Sequence, residues 1–244
     1  MGRQFTRRVA VAASGNGQRM NHGRALAREL ASTIADPTVL DAIAAVPRER
    51  FVPGALRRRA YENVSLPIGG GQTISQPLVV ARMLELLALG GDERVLDVGT
   101  GSGYHAALLA RLAREVISIE RDPALSAAAA RTLQQIGADN VTCVVGDGWA
   151  GVPEAAPFDA INVAATPGPT VPAALIAQLA LPGADRPGGR LVAPLGDKTQ
   201  VLTLLTRAAG DEVAVERFEP VRFVPLVRGT PRGPSRPRRR GGGG

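Results

Sequence analysis

The sequence predicts an α/β protein built on a doubly wound, mostly parallel sheet, with an N-terminal helical segment and antiparallel C-terminal strands. Three observations support this. Short apolar runs alternate with alanine-rich helical runs from Val95 to Pro194, the pattern of a parallel sheet covered by helices. The first of these runs passes through Gly99-Thr100-Gly101-Ser102-Gly103 into a helical stretch. Strand, glycine turn and helix in that order is how α/β proteins hold nucleotide-like ligands. Three successive apolar runs also carry an acid at their carboxyl ends: Asp97, Glu120 and Asp147.

Residues 1–22 mix Gly, Asn, Gln and Arg without a period, and the expectation is a loose segment. Helical signals begin near Gly23 and continue to Leu30. A second helix follows Asp36-Pro37, where proline suits a helix first turn, and Pro47 stops it. Phe51 anchors the turn Arg48–Pro53. Leu66–Pro77 contains Gly69-Gly70-Gly71 and reads as a structured loop. It leads into a helix with an apolar face of Val79, Val80, Met83, Leu84, Leu86 and Leu87, expected to end at Gly90-Gly91.

Strands are expected at Val95–Val98, Glu115–Ile119, Val141–Val145, Phe158–Val163 and Leu191–Pro194, with helices at Tyr104–Ala113, Pro123–Ile136 and Val171–Leu181. Gln200–Thr206, Glu212–Phe218 and Arg222–Leu226 are expected to form a closing antiparallel set. The chain therefore divides into a basic N-terminal extension (1–30), a body (31–229) and an Arg/Gly-rich tail (230–244) that is expected to be disordered.

The chain has 244 residues and a formal net charge of +7, which invites a nucleic-acid reading. The distribution of charge opposes it. Residues 1–30 carry +5 and residues 228–244 carry +6, which leaves −4 for residues 31–227. The body is mildly acidic, and the basic ends suit only weak binding to nucleic acid or acidic surfaces. No apolar run is long enough to span a membrane. Val9–Ala13 is too short for a signal-peptide core, so a cytoplasmic protein is the expectation. Cys143 is the only cysteine, which excludes an internal disulfide or a cysteine-based zinc site. It reads as a core residue, and no metal site is expected.

The acids define a ligand. Ligands of open α/β sheets bind at the carboxyl ends of the strands. Glu120, about 20 residues beyond the glycines, is placed to accept both hydroxyls of a ribose. Asp147, between Gly146 and Gly148, can accept from an exocyclic amine, and Asp97 can face a cation. Ribose, amino base and positive group together describe S-adenosylmethionine. A dinucleotide is disfavoured, because the spacing is Gly-x-Gly-x-Gly and a pyrophosphate would sit badly among carboxylates. Trp149 is a candidate to stack on an adenine edge. His105 reads as helix-face packing or cofactor-side lining.

The chain resembles the protein-L-isoaspartate O-methyltransferase family. The matching residues include Val46–Pro53, Leu66–Gly69, Gly71–Pro77, Val95–Tyr104, Ser118–Arg121, Gly146–Gly148, Ala156–Asp159, Gly188–Val192 and Phe223–Leu226. The Gln72–Pro77 loop is the specific element; the others are shared by many methyltransferases. The resemblance implies a Rossmann-like class I methyltransferase that esterifies the free carboxylate of L-isoaspartyl residues, after which the ester closes to a succinimide. It implies Ser75 as the active-site serine. Cofactor contacts are implied for Asp97, Gly99, Thr100, Gly101, Ser102, Gly103, Glu120, Arg121, Asp147, Gly148 and, where the spacing drifts, Gln200. Substrate contacts are implied for Gln72, Thr73, Ile74, Val224 and Pro225. Isoaspartyl peptides and proteins are the expected partners of a monomeric enzyme. Two alternatives remain at this point: a related enzyme that modifies one dedicated aspartate in a ribosomally made peptide, and a non-catalytic protein that binds through its basic ends. The serine lacks a Gly-x-Ser-x-Gly setting and a partner base, so it is no hydrolase nucleophile. A helix N-cap is its structural alternative.

Overall fold

The computed structural model describes residues 14–184, 186–210 and 212–229; of these, the side chains of 14–21 are not considered. The first helix, α1 (Ser14–Leu30), is longer than the sequence suggests. Leu26, Ala27 and Leu30 form a buried stripe on it, and α1 packs on α2 (Pro37–Ala45). The two approach so closely that a Cβ on Gly23 would lie 2.5 Å from the Ala44 carbonyl oxygen. The last turns expected in a loose extension thus belong to the core, because their apolar residues recur at helical spacing. Residues 1–13 and 230–244, the outer parts of the two basic ends, lie outside the described residues. Asp36 caps α2 by accepting from Thr38 N at 2.8 Å, with Pro37 in the first turn.

The expected loop at 66–77 is a hairpin: β1 (Leu66–Gly69) pairs antiparallel with β2 (Gln72–Ile74). Gly69, Gly70 and Gly71 turn the chain with φ of 99°, 59° and 73°, a region that glycine enters without steric cost. Helix α3 (Pro77–Leu87) follows directly. It ends at Ala88, which adopts φ 48°, and not at the two glycines. The Gly90 and Gly91 amides instead donate to the Glu93 carboxylate and shape the next turn.

The central sheet contains β3 (Arg94–Val98), β4 (Glu115–Glu120), β5 (Val141–Val145), β6 (Ala160–Val163), β7 (Arg190–Leu195), β8 (Gln200–Arg207) and β9 (Val213–Val221). Their order is β5-β4-β3-β6-β7-β8-β9. The first five are parallel; β8 and β9 are antiparallel. Helices α4 (Tyr104–Leu112), α5 (Pro123–Gln135) and α6 (Ala173–Ala177) lie in the connections. Alternate residues face opposite sides of a strand, which separates two cores. Val95 and Val116 join the core under α2, α3 and α4, whereas Leu96, Ile117 and Ile161 pack against Phe158, Leu175 and Leu179.

Two expected elements differ most from the sequence reading. The helix expected at Val171–Leu181 spans only Ala173–Ala177, because Leu179 leaves it to bridge Phe158. Residues Arg222–Leu226 form no antiparallel strand. They run beside Thr166, whose amide donates to Val224 O at 2.9 Å and whose carbonyl accepts from Leu226 N at 2.7 Å. The chain steps outward from β3 to β4 and β5, then returns to β6 on the other side. The crevice at this reversal is where open α/β sheets bind ligands.

Candidate active site at the carboxyl ends of the strands

The glycine turn is built by its neighbours. Gly99, Gly101 and Gly103 adopt φ of 94°, 52° and 91°, so larger residues would be strained. The amides of Gly99 and Thr100 both reach Ile119 O, at 2.9 and 3.3 Å. Gly101 N donates to Glu120 Oε2 at 2.9 Å, and Asp122 N donates to Glu120 Oε1 at 3.0 Å. Glu120 is 8% exposed. Each of its oxygens keeps a lone pair for a hydroxyl donor.

A cleft opens over this turn. Of the sequence-derived cofactor residues, Gly99, Thr100, Gly101, Ser102, Glu120, Arg121 and Gly148 line it. Of the sequence-derived substrate residues, Gln72, Thr73, Ile74, Val224 and Pro225 line it, as does Ser75. The hairpin and the 222–226 segment thus close over the turn.

Four residues expected to contact the cofactor are not among those that line the cleft. Gly103 packs under α5: a Cβ there would lie 3.2 Å from Ala129 Cβ. Gln200 turns away from the cleft. Its Nε2 donates to Phe223 O at 3.1 Å and its Oε1 accepts from Phe223 N at 2.6 Å, which fixes the segment beside Val224. Asp147 stands at the rim. Its Oδ1 accepts from Trp149 N and its Oδ2 from Gly229 N, each of which orients the carboxylate. Asp97 does not face the cleft. It is fully buried beneath the turn, where Ser118 Oγ donates to Oδ2 at 2.7 Å and Asn162 Nδ2 to Oδ1 at 2.8 Å. Those bonds draw its side chain into the sheet. Burial pushes its pKa up to about 6, against the two hydrogen bonds.

Sequence reasoning missed several participants. Arg48 is fully buried. Its Nη2 donates to Ser75 O at 2.7 Å, its Nε to Ala60 O at 2.8 Å, and its guanidinium lies over the Tyr104 ring. Nothing in the string Pro47-Arg48-Glu49-Arg50 separates this arginine from a solvated one. Asn162 could have been noticed as an amide inside an apolar strand. Its Nδ2 also lies 2.8 Å from His105 Nδ1. His105 is 6% exposed, lines the cleft, and has no partner at Nε2. Burial, and secondarily the Arg48 charge, lower its pKa to about 4. Trp149 does not stack in the cleft; its Nε1 donates to Leu226 O and its ring carries Arg228 at 4.0 Å. Cys143 is half-buried against the core.

Ser75 is not the cap of α3. That position is Gln76, without a side-chain cap bond, and Asn63 Oδ1 accepts from Leu78 N instead. A second cavity meets the first at this serine. It is lined by Ser65, Gln76, Val79 and Pro220–Phe223, and shares Thr73, Ser75, Ala164 and Val224 with the cleft.

The family model for protein-L-isoaspartate(D-aspartate) O-methyltransferase matches residues 22–231. The chain belongs to this family. A protein-L-isoaspartate O-methyltransferase from Cronobacter sakazakii (strain ATCC BAA-894) is 52% identical over 199 residues, which cover 82% of this chain and 92% of that one. A solved protein-L-isoaspartate O-methyltransferase superposes with a TM-score of 0.73 at 29% identity, covering 82% of this chain and 64% of that chain. A protein of the same description from Plasmodium falciparum, solved in complex with S-adenosyl-L-homocysteine, gives 0.72 at 25% identity, over 84% and 98%.

The methyltransferase uses S-adenosylmethionine, and its residues fit that group. Glu120 offers acceptors for ribose hydroxyls, and the buried His105 Nε2 beside the cleft is left for a ligand group. Among the described residues no cluster of His, Cys, Asp or Glu is arranged to hold a metal ion, and no helix is long and apolar enough to cross a membrane.

Proposed function

We propose that this methyltransferase esterifies the free α-carboxylate of L-isoaspartyl residues in damaged proteins and peptides, and so initiates their repair through a succinimide. The observation that carries this reading is the position of Ser75 on the wall between the cleft and the second cavity. An extended peptide in the second cavity would bring a side group to the cofactor past this residue, with Thr73, Ala164 and Val224 beside it. When bound, the cofactor supplies a methyl group on a sulfonium and leaves as a neutral thioether.

The chain's residues need only to position the acceptor. A terminal-type carboxylate has a pKa of about 3.3–3.7 and is ionised at neutral pH, so no general base is required. Anion meets cation and charge disappears, which favours a site that orients the partners and excludes water. Ser75 Oγ donates to one oxygen of the acceptor carboxylate, and Arg48 fixes the Ser75 backbone from below. Glu120 would hold the ribose, and the Asp147–Gly148 corner would meet the base. Thr73, Val224 and Pro225 flank the acceptor. A monomeric, cytoplasmic enzyme that meets nucleic acid only weakly through its arginine-rich ends belongs to the same proposal.

The test uses radiolabelled S-adenosylmethionine and two peptides that differ only in L-isoaspartate against L-aspartate. Base-labile label should enter the isoaspartyl peptide alone, and Ser75→Ala should lower kcat by about a hundredfold. Equal labelling of both peptides, or none with folded protein, would refute the assignment.

A further inference from the structure

We propose that His105 donates its Nε2–H to the α-carboxylate of the cofactor's methionyl end, and that Asn162 and Asp97 hold the imidazole in the tautomer that does so. The inference rests on the cofactor and is independent of which acceptor is methylated.

The tautomer follows from the chain of contacts. An ionised carboxylate only accepts hydrogen bonds. Asn162 Nδ2, 2.8 Å from Asp97 Oδ1, must therefore be the amide nitrogen. Its second hydrogen points to His105 Nδ1, also at 2.8 Å. Nδ1 is then an acceptor, and the ring proton resides on Nε2. Ser118 Oγ donates to the other Asp97 oxygen and is 2.6 Å from Thr100 Oγ1, which ties the relay to the glycine turn. The ring stays neutral at physiological pH because it is buried and because Arg48 carries a positive charge nearby.

Direction follows from the sheet. Glu120 ends β4 and Asp147 follows β5, on one side of β3. Asn162 lies on β6, on the other side. A ligand with its ribose at Glu120 and its base toward Asp147 points its remaining end at β3 and β6, where His105 stands in the first turn of α4. Of the groups at that end, sulfonium and ammonium cannot accept a hydrogen bond; the carboxylate can. The N-terminal turn of a helix also favours an anion. A buried donor without a partner is costly, and the bound carboxylate removes that cost.

The experiment compares S-adenosylhomocysteine with 5′-methylthioadenosine, which lacks the amino-acid portion, on the full chain. In ¹⁵N-histidine NMR the free protein should show His105 protonated at Nε2 at pH 7 to 8, where Asp97 is ionised. S-adenosylhomocysteine should shift that resonance and 5′-methylthioadenosine should not. By calorimetry, His105→Leu should weaken S-adenosylhomocysteine about tenfold or more and leave 5′-methylthioadenosine within about twofold; His105→Gln should recover part of the loss. Protonation at Nδ1, the same shift with both ligands, or equal losses for both would overturn the proposal. So would an unchanged affinity with a raised KM for the peptide, which would place the acceptor's carboxylate there instead. If the unaltered chain does not bind S-adenosylhomocysteine, the cofactor reading fails and the proposal fails with it.

Discussion

Two buried side chains show how single residues set this site. Arg48 holds two backbone carbonyls, of Ala60 and Ser75, and stacks on Tyr104. Burial lowers its pKa from the usual arginine value, yet a guanidinium remains charged. Arg48→Met would leave both carbonyls without this donor, at about 1–3 kcal/mol each. The expected result is a urea midpoint lowered by a matching amount, with kcat reduced further than cofactor affinity because Ser75 loses its anchor. Asp97 and His105 form an opposed pair in pH dependence. The folded pKa of His105, about 4, lies below its ordinary value of 6.5. Its stabilising contribution is therefore complete above pH 6.5 and is lost as the pH falls through 4. Asp97, raised from 3.8 to about 6, contributes stability at low pH that is lost as the pH rises through 6. Between pH 4 and 6 the two slopes largely cancel. Replacing one group exposes the other: His105→Gln should gain up to about 3 kcal/mol relative to the parent between pH 6.5 and 4. Urea titrations at pH 7, 5.5 and 4.5 check the sign, and an unchanged difference would refute it.

The segment Arg222–Leu226 is positioned by elements far from it in sequence. Gln200, at the start of β8, grips Phe223 through both amide atoms, and Thr166 brackets Val224 and Leu226. Gln200→Ala removes two hydrogen bonds at about 1 kcal/mol each. It should raise the KM for isoaspartyl peptide by up to about tenfold and leave S-adenosylhomocysteine affinity unchanged. An equal loss of cofactor affinity would mean that Gln200 serves the cofactor side after all. The same segment shows what was legible in the sequence. The parallel strands and their helices declared themselves through apolar periodicity, and the glycine turn with Glu120 through spacing. These are local signals. The 222–226 segment is apolar and β-prone like a strand, but its partner, Thr166, is set by the fold. The hairpin Leu66–Ile74 looked like a loop because its strands are short and its center is three glycines. Asp97 looked like a ligand contact because its neighbours belong to the glycine turn that lines the cleft; only the polar side chains on β4 and β6 reveal that it turns inward. Arg48 gave no local sign of burial, since its partners are carbonyls, which every residue has.

Across the molecule, charge and topology are separated. The cleft lies at the sheet reversal between β3 and β6, within a mildly acidic body, whereas the excess of arginine lies toward the two ends of the sequence. The C-terminal end nevertheless touches the site at one point. Gly229 N donates to Asp147 Oδ2 at 2.8 Å, Arg121 Nε donates to Gly229 O at 3.0 Å, and Arg228 covers Trp149. Residues 227–229 thus orient two rim side chains, Asp147 and Arg121. Residues 230–244, which lie outside the described residues, add five arginines. Two truncations separate these contributions. Ending the chain after Gly229 should leave cofactor affinity and methylation of a short peptide within about twofold. Ending it after Leu226 removes the partner of both rim residues. It should weaken S-adenosylhomocysteine by about three- to tenfold, the loss of one or two hydrogen bonds of about 1 kcal/mol. Calorimetry on both variants, with the urea midpoint as a check on folding, measures the difference. A large loss already at Gly229 would show that the arginines recruit ligand or peptide through charge, and it should then shrink with added salt, as exposed charge interactions do. Equal behaviour of the two variants would show that Asp147 and Arg121 hold their places without the strap.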